Sequence, residues 1–443
     1  MSPSPRRPTA LASATAALLA LPLALGASSS ASAAAPVVAS APVVASAPVG
    51  APTLAEQDPA ALSRAVRAAF EEASASTAFS ARGQGPDRPA PSGPDRRALD
   101  AAVRTIVDEG AVGVTARVEG PRLRWAGAAG SRQLDRRPQA HTGDRFEVGS
   151  ITKPMIATLV MQEVEKGTWQ LDTPVEDVLP GVLGGRGDVT LEHLLSHRSG
   201  LPTGSDVMVA LRMTDLTSWD EFIRVLGEEY TDAEHVAAAL ATPWLFEPGT
   251  DWSYSNAGYI VLGMMLEEVT GQDLDALLRH RVTRPAGMRH TELPHEPRSH
   301  GPFLVGAAFT GPDTGWYSLG HGDPDLFGAA GAVTSTTADL MSFTDALLGG
   351  RLVRPATVAD MVTPRSLAPL EYGLGVFRVA DPCESGAYLY GHNGATYGTL
   401  SIVLSSPDGT RSVAVGVTGR DLTSEKSIED LNALLLPMAL ATC

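Results

Sequence analysis

Ser150 and Lys153 stand three positions apart at the start of a predicted helix, in the pattern S-x-x-K. Residues i and i+3 share one face of a helix, with their Cβ atoms about 5–6 Å apart. A buried lysine amine can therefore reach the serine hydroxyl and accept its proton, which arginine cannot do because it stays protonated. Such a pattern arises by chance in about one chain in four or five of this composition, so its interpretation depends on motifs downstream.

Two further motifs follow in order along the chain. Tyr254 and Asn256 stand two apart at a predicted helix start, and His392 and Gly394 stand two apart on a predicted strand. Each motif alone has a purely structural explanation. The tyrosine could be a buried aromatic residue, the asparagine a helix N-cap and the histidine an ordinary strand residue. In combination with the serine–lysine pair, they indicate one catalytic site.

The order S-x-x-K, Y-x-N and H-x-G resembles the penicillin-binding protein and class C β-lactamase superfamily of serine hydrolases. Within it, the chain is most similar to secreted D-alanyl-D-alanine carboxypeptidases. The segments 194–202, 255–259, 328–335 and 372–375 fit the same resemblance, which covers residues 97–443. It implies an α+β fold, with an antiparallel sheet flanked by helices and an all-helical subdomain.

The resemblance also implies catalytic roles. Ser150 is expected to be the nucleophile of an acyl-enzyme, with Lys153 activating it. Tyr254 would carry the proton to the leaving amine, its phenol pKa lowered by Lys153 and His392. Asn256 would orient Lys153 and bond the substrate amide. His392 replaces the lysine of the commoner K-T-G motif and would supply a smaller, pH-sensitive positive charge.

The strand that carries His392 is expected to line the substrate. The backbone N–H groups of Ser150 and Ala395 would form the oxyanion hole. Carboxypeptidases of this type have hydroxyl residues at the positions of Asn393 and Ala395, and an arginine at the position of Phe377, where they bind the substrate's carboxylate. The residues expected to contact substrate here are Arg378, Asn393, Gly394, Ala395 and Thr396.

These departures leave several functions open. The first is a D-alanyl-D-alanine carboxypeptidase acting on peptidoglycan peptides, with β-lactam antibiotics as acylating inhibitors. An esterase, a D-amino-acid amidase or a β-lactamase of the same fold is the alternative, and a non-catalytic penicillin-binding sensor is a third. No cofactor is expected, and the protein is expected to act as a monomer. His193 and His197 have the spacing of zinc ligands, but Leu194 replaces the glutamate of a metalloprotease, so no metal is expected.

Composition and the N-terminal segment bear on location. The net charge of −16 argues against nucleic-acid binding. Residues 1–33 have a short basic start, an apolar stretch and an Ala-Ser-Ala cleavage site, which together predict a signal peptide and a secreted or cell-wall protein without a transmembrane anchor. Residues 34–96 read as a low-complexity linker with one possible helix at 54–80, followed by the hydrolase domain at 97–443.

Two cysteines, Cys383 and Cys443, are expected to form one disulfide in an exported protein.

Hydrophobic periodicity predicts helices at both ends and in the middle of the domain, and strands near its two ends that share one antiparallel sheet. The predicted helices are 97–109, 150–167, 218–229, 233–241, 257–270, 273–280, 334–349 and 423–441. The predicted strands are 111–118, 121–128, 372–379, 387–395, 398–406 and 411–419.

Overall fold

The computed structural model describes residues 96–134, 138–297, 302–367, 370–424, 431, 434–435 and 437–443. The predicted signal peptide, the linker through residue 95 and its possible helix at 54–80 lie outside these residues. The described chain begins with a helix, Arg96–Asp108, whose buried side chains Leu99, Val103 and Ile106 pack on the sheet. This helix lies within one residue of the one predicted at 97–109.

Within the described residues, eleven strands form three sheets. The strands are β1 (Gly113–Glu119), β2 (Arg124–Gly130), β3 (Phe146–Glu147), β4 (Ala307–Phe309), β5 (Trp316–Ser318), β6 (Thr334–Ser335), β7 (Phe377–Ala380), β8 (Tyr388–Ala395), β9 (Thr399–Ser405), β10 (Ser412–Thr418) and β11 (Arg420–Asp421). The largest sheet is antiparallel with the order β2-β1-β10-β9-β8-β7. It joins the two ends of the domain through β1 and β10, so the predicted shared sheet and α+β class are confirmed.

The helices cover the sheet and fill the middle of the chain. They are α1 (Arg96–Asp108), α2 (Thr152–Lys166), α3 (Val175–Val178), α4 (Leu191–Leu195), α5 (Ser205–Ala210), α6 (Trp219–Val225), α7 (Asp232–Leu240), α8 (Asn256–Thr270), α9 (Leu274–Leu278), α10 (Gly328–Gly331), α11 (Thr337–Leu348) and α12 (Pro355–Val362). Buried side chains of α2, α8 and α11 form one large core with residues of the helical middle.

Local signals explain where most elements start and stop. α11 has an N-terminal cap, because the Thr336 hydroxyl accepts a hydrogen bond from Asp339 N at 3.1 Å. Gly167 ends α2 in a left-handed conformation. A turn at 407–409 joins β9 to β10. Both of these strands are buried along their whole length, which their near-continuous apolar composition requires.

Some predicted boundaries are wrong. The strand predicted at 372–379 begins only at Phe377, because Gly375 takes a positive φ and interrupts it. The helix predicted at 273–280 ends at Leu278 and continues as a π-helical turn, Arg279–Thr283. The helix predicted at 218–229 ends at Val225. Of the predicted C-terminal helix, the described residues 431, 434–435 and 437–440 are helical.

The chain's end is attached to the region of the sheet by a covalent bond. Cys383 and Cys443 form the predicted disulfide. Leu434, Leu435 and Met438 are buried against the same face of the sheet as α1. Over the residues described, no helix is both long enough and apolar enough to cross a membrane.

Candidate active site

The turn that carries Ser150 packs directly against the end of β8. A 3-10 turn, Gly149–Ile151, precedes α2, and Gly149 has φ +55°. A Cβ atom on Gly149 would lie 2.6 Å from Ala395 N, and one on Gly394 would lie 1.9 Å from Val148 O. Only glycine allows this contact at both positions. The close approach places the turn that carries Ser150 against Ala395, and an oxyanion hole formed by the N–H groups of these two residues stays a prediction.

The edge of β8 beside Ser150 is open. β7 pairs only with residues 388–391, while β9 pairs with β8 as far as Ala395. Thr396 N donates to Thr399 O. Hydrogen-bonded residues alternate along an antiparallel strand, so every second residue of β8, counted back from Thr396, is hydrogen-bonded to β9. The peptide groups of Asn393 and Ala395 therefore face the open edge. This edge offers backbone donors and acceptors to an extended substrate lying beside Ser150.

Lys153 is buried next to Ser150 and contacts three oxygen atoms. Its Nζ lies 3.0 Å from Ser150 Oγ, 2.8 Å from Asn256 Oδ1 and 2.8 Å from Ala330 O. Burial lowers the pKa of the Lys153 amine well below its ordinary value. A neutral amine has two N–H donors and one lone pair. The two carbonyl-type oxygens take the donors, so the lone pair is left to accept the Ser150 proton.

Asn256 is itself oriented by a chain of polar groups. Its Nδ2 donates to Ser205 Oγ at 3.0 Å, which turns Oδ1 toward Lys153. The Ser205 hydroxyl lies 3.2 Å from His235 Nε2, which also lies 3.0 Å from Thr203 O. Because a carbonyl can only accept, His235 carries its proton on Nε2. The side chains of Ser205, Asn256 and His235 are buried, so this network sets which end of the amide meets the lysine.

Tyr254 lies beside the pair, with Lys153 Nζ 4.6 Å from the centre of its ring. Burial raises the pKa of Tyr254 well above its ordinary value, and the nearby Ser150 hydroxyl offsets this only in part. The phenol oxygen is buried and forms no hydrogen bond of good geometry. The predicted lowering of this pKa is therefore wrong in direction, because burial outweighs the neighbouring groups. The phenol keeps its proton, which it could donate.

His392 does not carry the predicted charge. Its Nδ1 donates to Asn393 O, and its Nε2 accepts from the Tyr372 hydroxyl at 2.9 Å. Burial lowers the pKa of His392 to about 3, so the ring is neutral at physiological pH. Its centre is 6.4 Å from that of Tyr254. The histidine thus contributes packing and hydrogen bonds to an aromatic cluster, and not a positive charge. We use "aromatic cluster" for the rings of His197, Tyr254, Tyr259, Tyr372 and His392.

The side chains expected to hold a substrate carboxylate are engaged elsewhere. Arg378 Nε donates to Glu371 at 2.7 Å, and its guanidinium lies 3.8 Å from the centre of the Tyr388 ring. The Thr396 hydroxyl donates to Glu147 at 2.8 Å. Phe377 is buried in the core. Of the predicted substrate contacts, Asn393 and Ala395 are the ones that remain partly exposed beside the nucleophile.

Several residues of the site were not identified from the sequence. They are Thr203, Ser205, His235, Ala330 and Tyr372. Their contacts join segments that are far apart in the chain. Every residue has a backbone carbonyl, so the role of Ala330 O cannot be recognised from residue type.

His193 and His197 do not face a common point: His193 Nδ1 accepts from Thr190 N, while His197 lies in the aromatic cluster. Among the described residues, no three potential metal ligands come together.

Comparison with known proteins identifies the family. A family model described as Beta-lactamase matches residues 99–436, about three quarters of the chain. Penicillin-binding protein 4 of Amycolatopsis lactamdurans is 31% identical over 293 residues, covering 60% of this chain and 70% of that protein. Penicillin-binding protein 4* of Bacillus subtilis is 26% identical over 278 residues, which cover 59% of this chain. The match spans only 58% of the Bacillus protein's length.

The fold is shared with solved structures over almost their whole length. A D-stereospecific amidohydrolase from Streptomyces superposes with a TM-score of 0.67 at 29% identity. The match covers 77% of this chain and 98% of that structure. The part of this chain left over corresponds in size to the residues before Arg96.

Proposed function

The chain belongs to the Beta-lactamase family of serine hydrolases, and we propose that it hydrolyses D-aminoacyl amides and esters through an acyl-enzyme on Ser150. One observation carries the choice of substrate. The groups that would recognise a carboxylate on the leaving side, Arg378 and Thr396, are bonded to Glu371 and Glu147. A leaving group without a carboxylate, such as ammonia or an alcohol, needs no such partner.

The pocket beside Ala395 supports an acyl group that carries a positive charge. Its walls include Thr396 and Gly331, which adjoin Ala395 and Ala330 of the site. Leucine, phenylalanine and proline side chains form most of the rest, and among its described lining residues Glu147 and Asp323 are acidic and none is basic. Glu147 is partly exposed, and burial raises the pKa of its carboxyl group. An ammonium group placed there would favour the ionised carboxylate.

In the proposed reaction, Ser150 Oγ attacks the substrate carbonyl carbon while its proton passes to Lys153 Nζ. The N–H groups of Ser150 and Ala395 stabilise the oxyanion. As the C–N bond breaks, Tyr254 donates its proton to the leaving nitrogen, and the proton on Lys153 then replaces it. Water attacks the ester of the acyl-enzyme by the same route in reverse, which releases the D-amino acid and restores Ser150.

A second candidate is the D-alanyl-D-alanine carboxypeptidase reaction. The partly exposed side chain of Asn393 favours it, because an amide N–H on the open edge of β8 could donate to a terminal carboxylate. The similarity to penicillin-binding protein 4 of Amycolatopsis lactamdurans points the same way. In either case, penicillins are expected to acylate Ser150, because the strained lactam replaces the substrate's amide bond.

We also propose that the protein is exported through the signal peptide at residues 1–33 and acts as a monomer outside the cell. The basic and apolar pattern of these residues supports export. N-terminal sequencing of the protein recovered from culture medium tests this. A mature N-terminus near residue 34 is expected, and retention of residues 1–33 in the cytoplasm would contradict it.

The substrate proposal is tested by a panel that varies one group at a time. D- and L-phenylalanine amide, N-acetyl-D-phenylalanine amide and an acyl-D-Ala-D-Ala peptide are compared, with Ser150→Ala as the blank. We expect serine-dependent ammonia release with D preferred over L. Glu147→Gln should raise KM for the free amine at least tenfold and leave the N-acetyl amide unchanged. Faster D-alanine release from the peptide would favour the second candidate, and activity retained by Ser150→Ala would overturn both.

A further inference from the structure

His197 has a backbone conformation that no other non-glycine residue shares in the described chain. Its φ is +59°, in the left-handed region, and the side chain is 1% exposed. A non-glycine residue persists there only where the surrounding structure holds it, and such residues cluster at functional sites. The residue belongs to the 194–202 segment, to which the proposed reaction assigns no role.

Two hydrogen bonds connect His197 to the residues on either side of Tyr254. Ser253 N donates to His197 O at 3.0 Å, and Ser255 N donates to His197 Nδ1 at 3.2 Å. The His197 ring also lies on the Tyr254 ring, with centres 4.1 Å apart and planes tilted by 34°. His197 thus contacts the backbone on both sides of Tyr254, at Ser253 N and Ser255 N, and packs on the Tyr254 ring.

Tyr254 has no comparable anchor of its own. Its hydroxyl oxygen is buried and forms no hydrogen bond of good geometry, so the phenol group does not fix its own direction. The neighbouring residues are held by the same segment, since Ser255 Oγ donates to Pro202 O at 3.1 Å and Asn256 N to Thr203 Oγ1 at 3.3 Å. These contacts hold the backbone of the following residues, whereas His197 contacts the backbone on both sides of Tyr254 and also its ring.

The arrangement leaves one polar group of His197 unsatisfied. Because Nδ1 accepts from a peptide N–H, the ring's proton is on Nε2, which is buried without a hydrogen-bond partner. Such groups are rare in native proteins and call for an explanation. Burial lowers the pKa of His197 well below its ordinary value. The ring therefore stays neutral and keeps Nδ1 available as an acceptor.

We propose that His197 is a positioning residue that holds the Tyr254 hydroxyl in line with Ser150 and the leaving group. This inference rests on the proposed acyl-enzyme function but not on the identity of the substrate. Displacement of a catalytic group by about 1 Å can reduce a rate by about a hundredfold. Replacing His197 should therefore lower the rate of acylation while leaving substrate binding nearly unchanged.

A double-mutant cycle on the full-length protein tests the proposal. His197→Asn keeps an acceptor and a residue that tolerates positive φ but removes the ring, and Tyr254→Phe removes the hydroxyl. Acylation of Ser150 by penicillin is followed by mass spectrometry, so the result does not depend on the amide substrate. We expect His197→Asn to lower the acylation rate constant 10- to 100-fold, with the half-saturating penicillin concentration changed less than threefold.

The combined variant provides the decisive comparison. If His197 acts through the Tyr254 hydroxyl, then His197→Asn in the Tyr254→Phe background should change the rate less than threefold. Multiplying effects would overturn the proposal, as would an unchanged rate in His197→Asn. His193→Asn, a substitution of the same type four residues earlier, is the matched control and should retain the wild-type rate. Lack of activity on D-amino-acid amides would refute the substrate proposal alone.

Discussion

The two halves of the site are held in place by different forces. On the nucleophile side, Lys153 is positioned by polar atoms at 2.8–3.0 Å, and Asn256 is oriented in turn by Ser205. On the acid side, Tyr254 has no good hydrogen bond at its hydroxyl and lies in the aromatic cluster. On the Lys153 side, the hydrogen bonds determine which atom carries a proton, because each bond requires one donor and one acceptor. On the Tyr254 side, ring packing determines only the direction of the phenol hydroxyl.

The largest expected loss follows from Lys153→Arg, which breaks the nucleophile side. Arginine keeps the positive charge but cannot accept the Ser150 proton at any accessible pH. Acylation by penicillin should fall by about 10⁴-fold, the upper end of the contribution of a positioned general base. Mass spectrometry of the penicillin adduct over time measures the rate. A loss of less than tenfold would show that Lys153 is not the base.

Asn256→Asp changes the same side of the site as Lys153→Arg and should have a smaller effect on the acylation rate. A carboxylate at this position would stabilise protonated Lys153 and raise the pKa of its amine. Acylation at pH 7 should fall by about a hundredfold and recover as the pH is raised, because only the neutral amine accepts a proton. The pH dependence of the acylation rate is the measurement. Tyr254→Phe, from the other half, should lower the rate without moving its pH midpoint.

The smallest expected effect concerns stability on the aromatic side. Burial lowers the pKa of His392 to about 3 in the folded protein, whereas an unfolded histidine titrates near 6.5. The unfolded state therefore binds the extra proton below pH 6.5, and stability falls with falling pH until about pH 3. Between pH 7 and pH 5, this histidine alone should lower the free energy of unfolding by about 2 kcal/mol.

Urea denaturation of wild type and His392→Gln at pH 7 and pH 5 measures this contribution. The variant should lose about 2 kcal/mol less than the wild type on acidification. Substitution of the exposed His280 with glutamine is the control and should leave the wild-type dependence unchanged. An equal loss in all three proteins would mean that His392 is not a buried neutral group.

Sequence patterns were most informative where residue type and a short sequence separation together determine a contact. The Ser150–Lys153 pair could be predicted this way. The disulfide between Cys383 and Cys443 could be predicted for another reason, because the chain has two cysteines. A helix makes positions i and i+3 neighbours whatever the rest of the fold does. The shared sheet could also be predicted, because its strands are short apolar runs bounded by turn residues.

Patterns failed where a property depends on surroundings that come from elsewhere in the chain. The charge of His392 and the direction of the Tyr254 pKa shift were both predicted wrongly, because burial outweighs any single neighbour. Arg378 is close to the site in sequence, yet it bonds Glu371 and packs on Tyr388. The left-handed conformation of His197 has no signal in residue type either.

The sequence by itself determined which atoms can do chemistry in this protein: one serine hydroxyl, one lysine that can titrate, one phenol and the order in which they occur. Residue type decides what bonds an atom can form, and this survives any change of fold. Only the tertiary structure decided their protonation and direction, because desolvation and hydrogen-bond partners come from distant segments. It packed Gly149 against Ala395, lowered the pKa of Lys153 by burial and placed His197 on Tyr254.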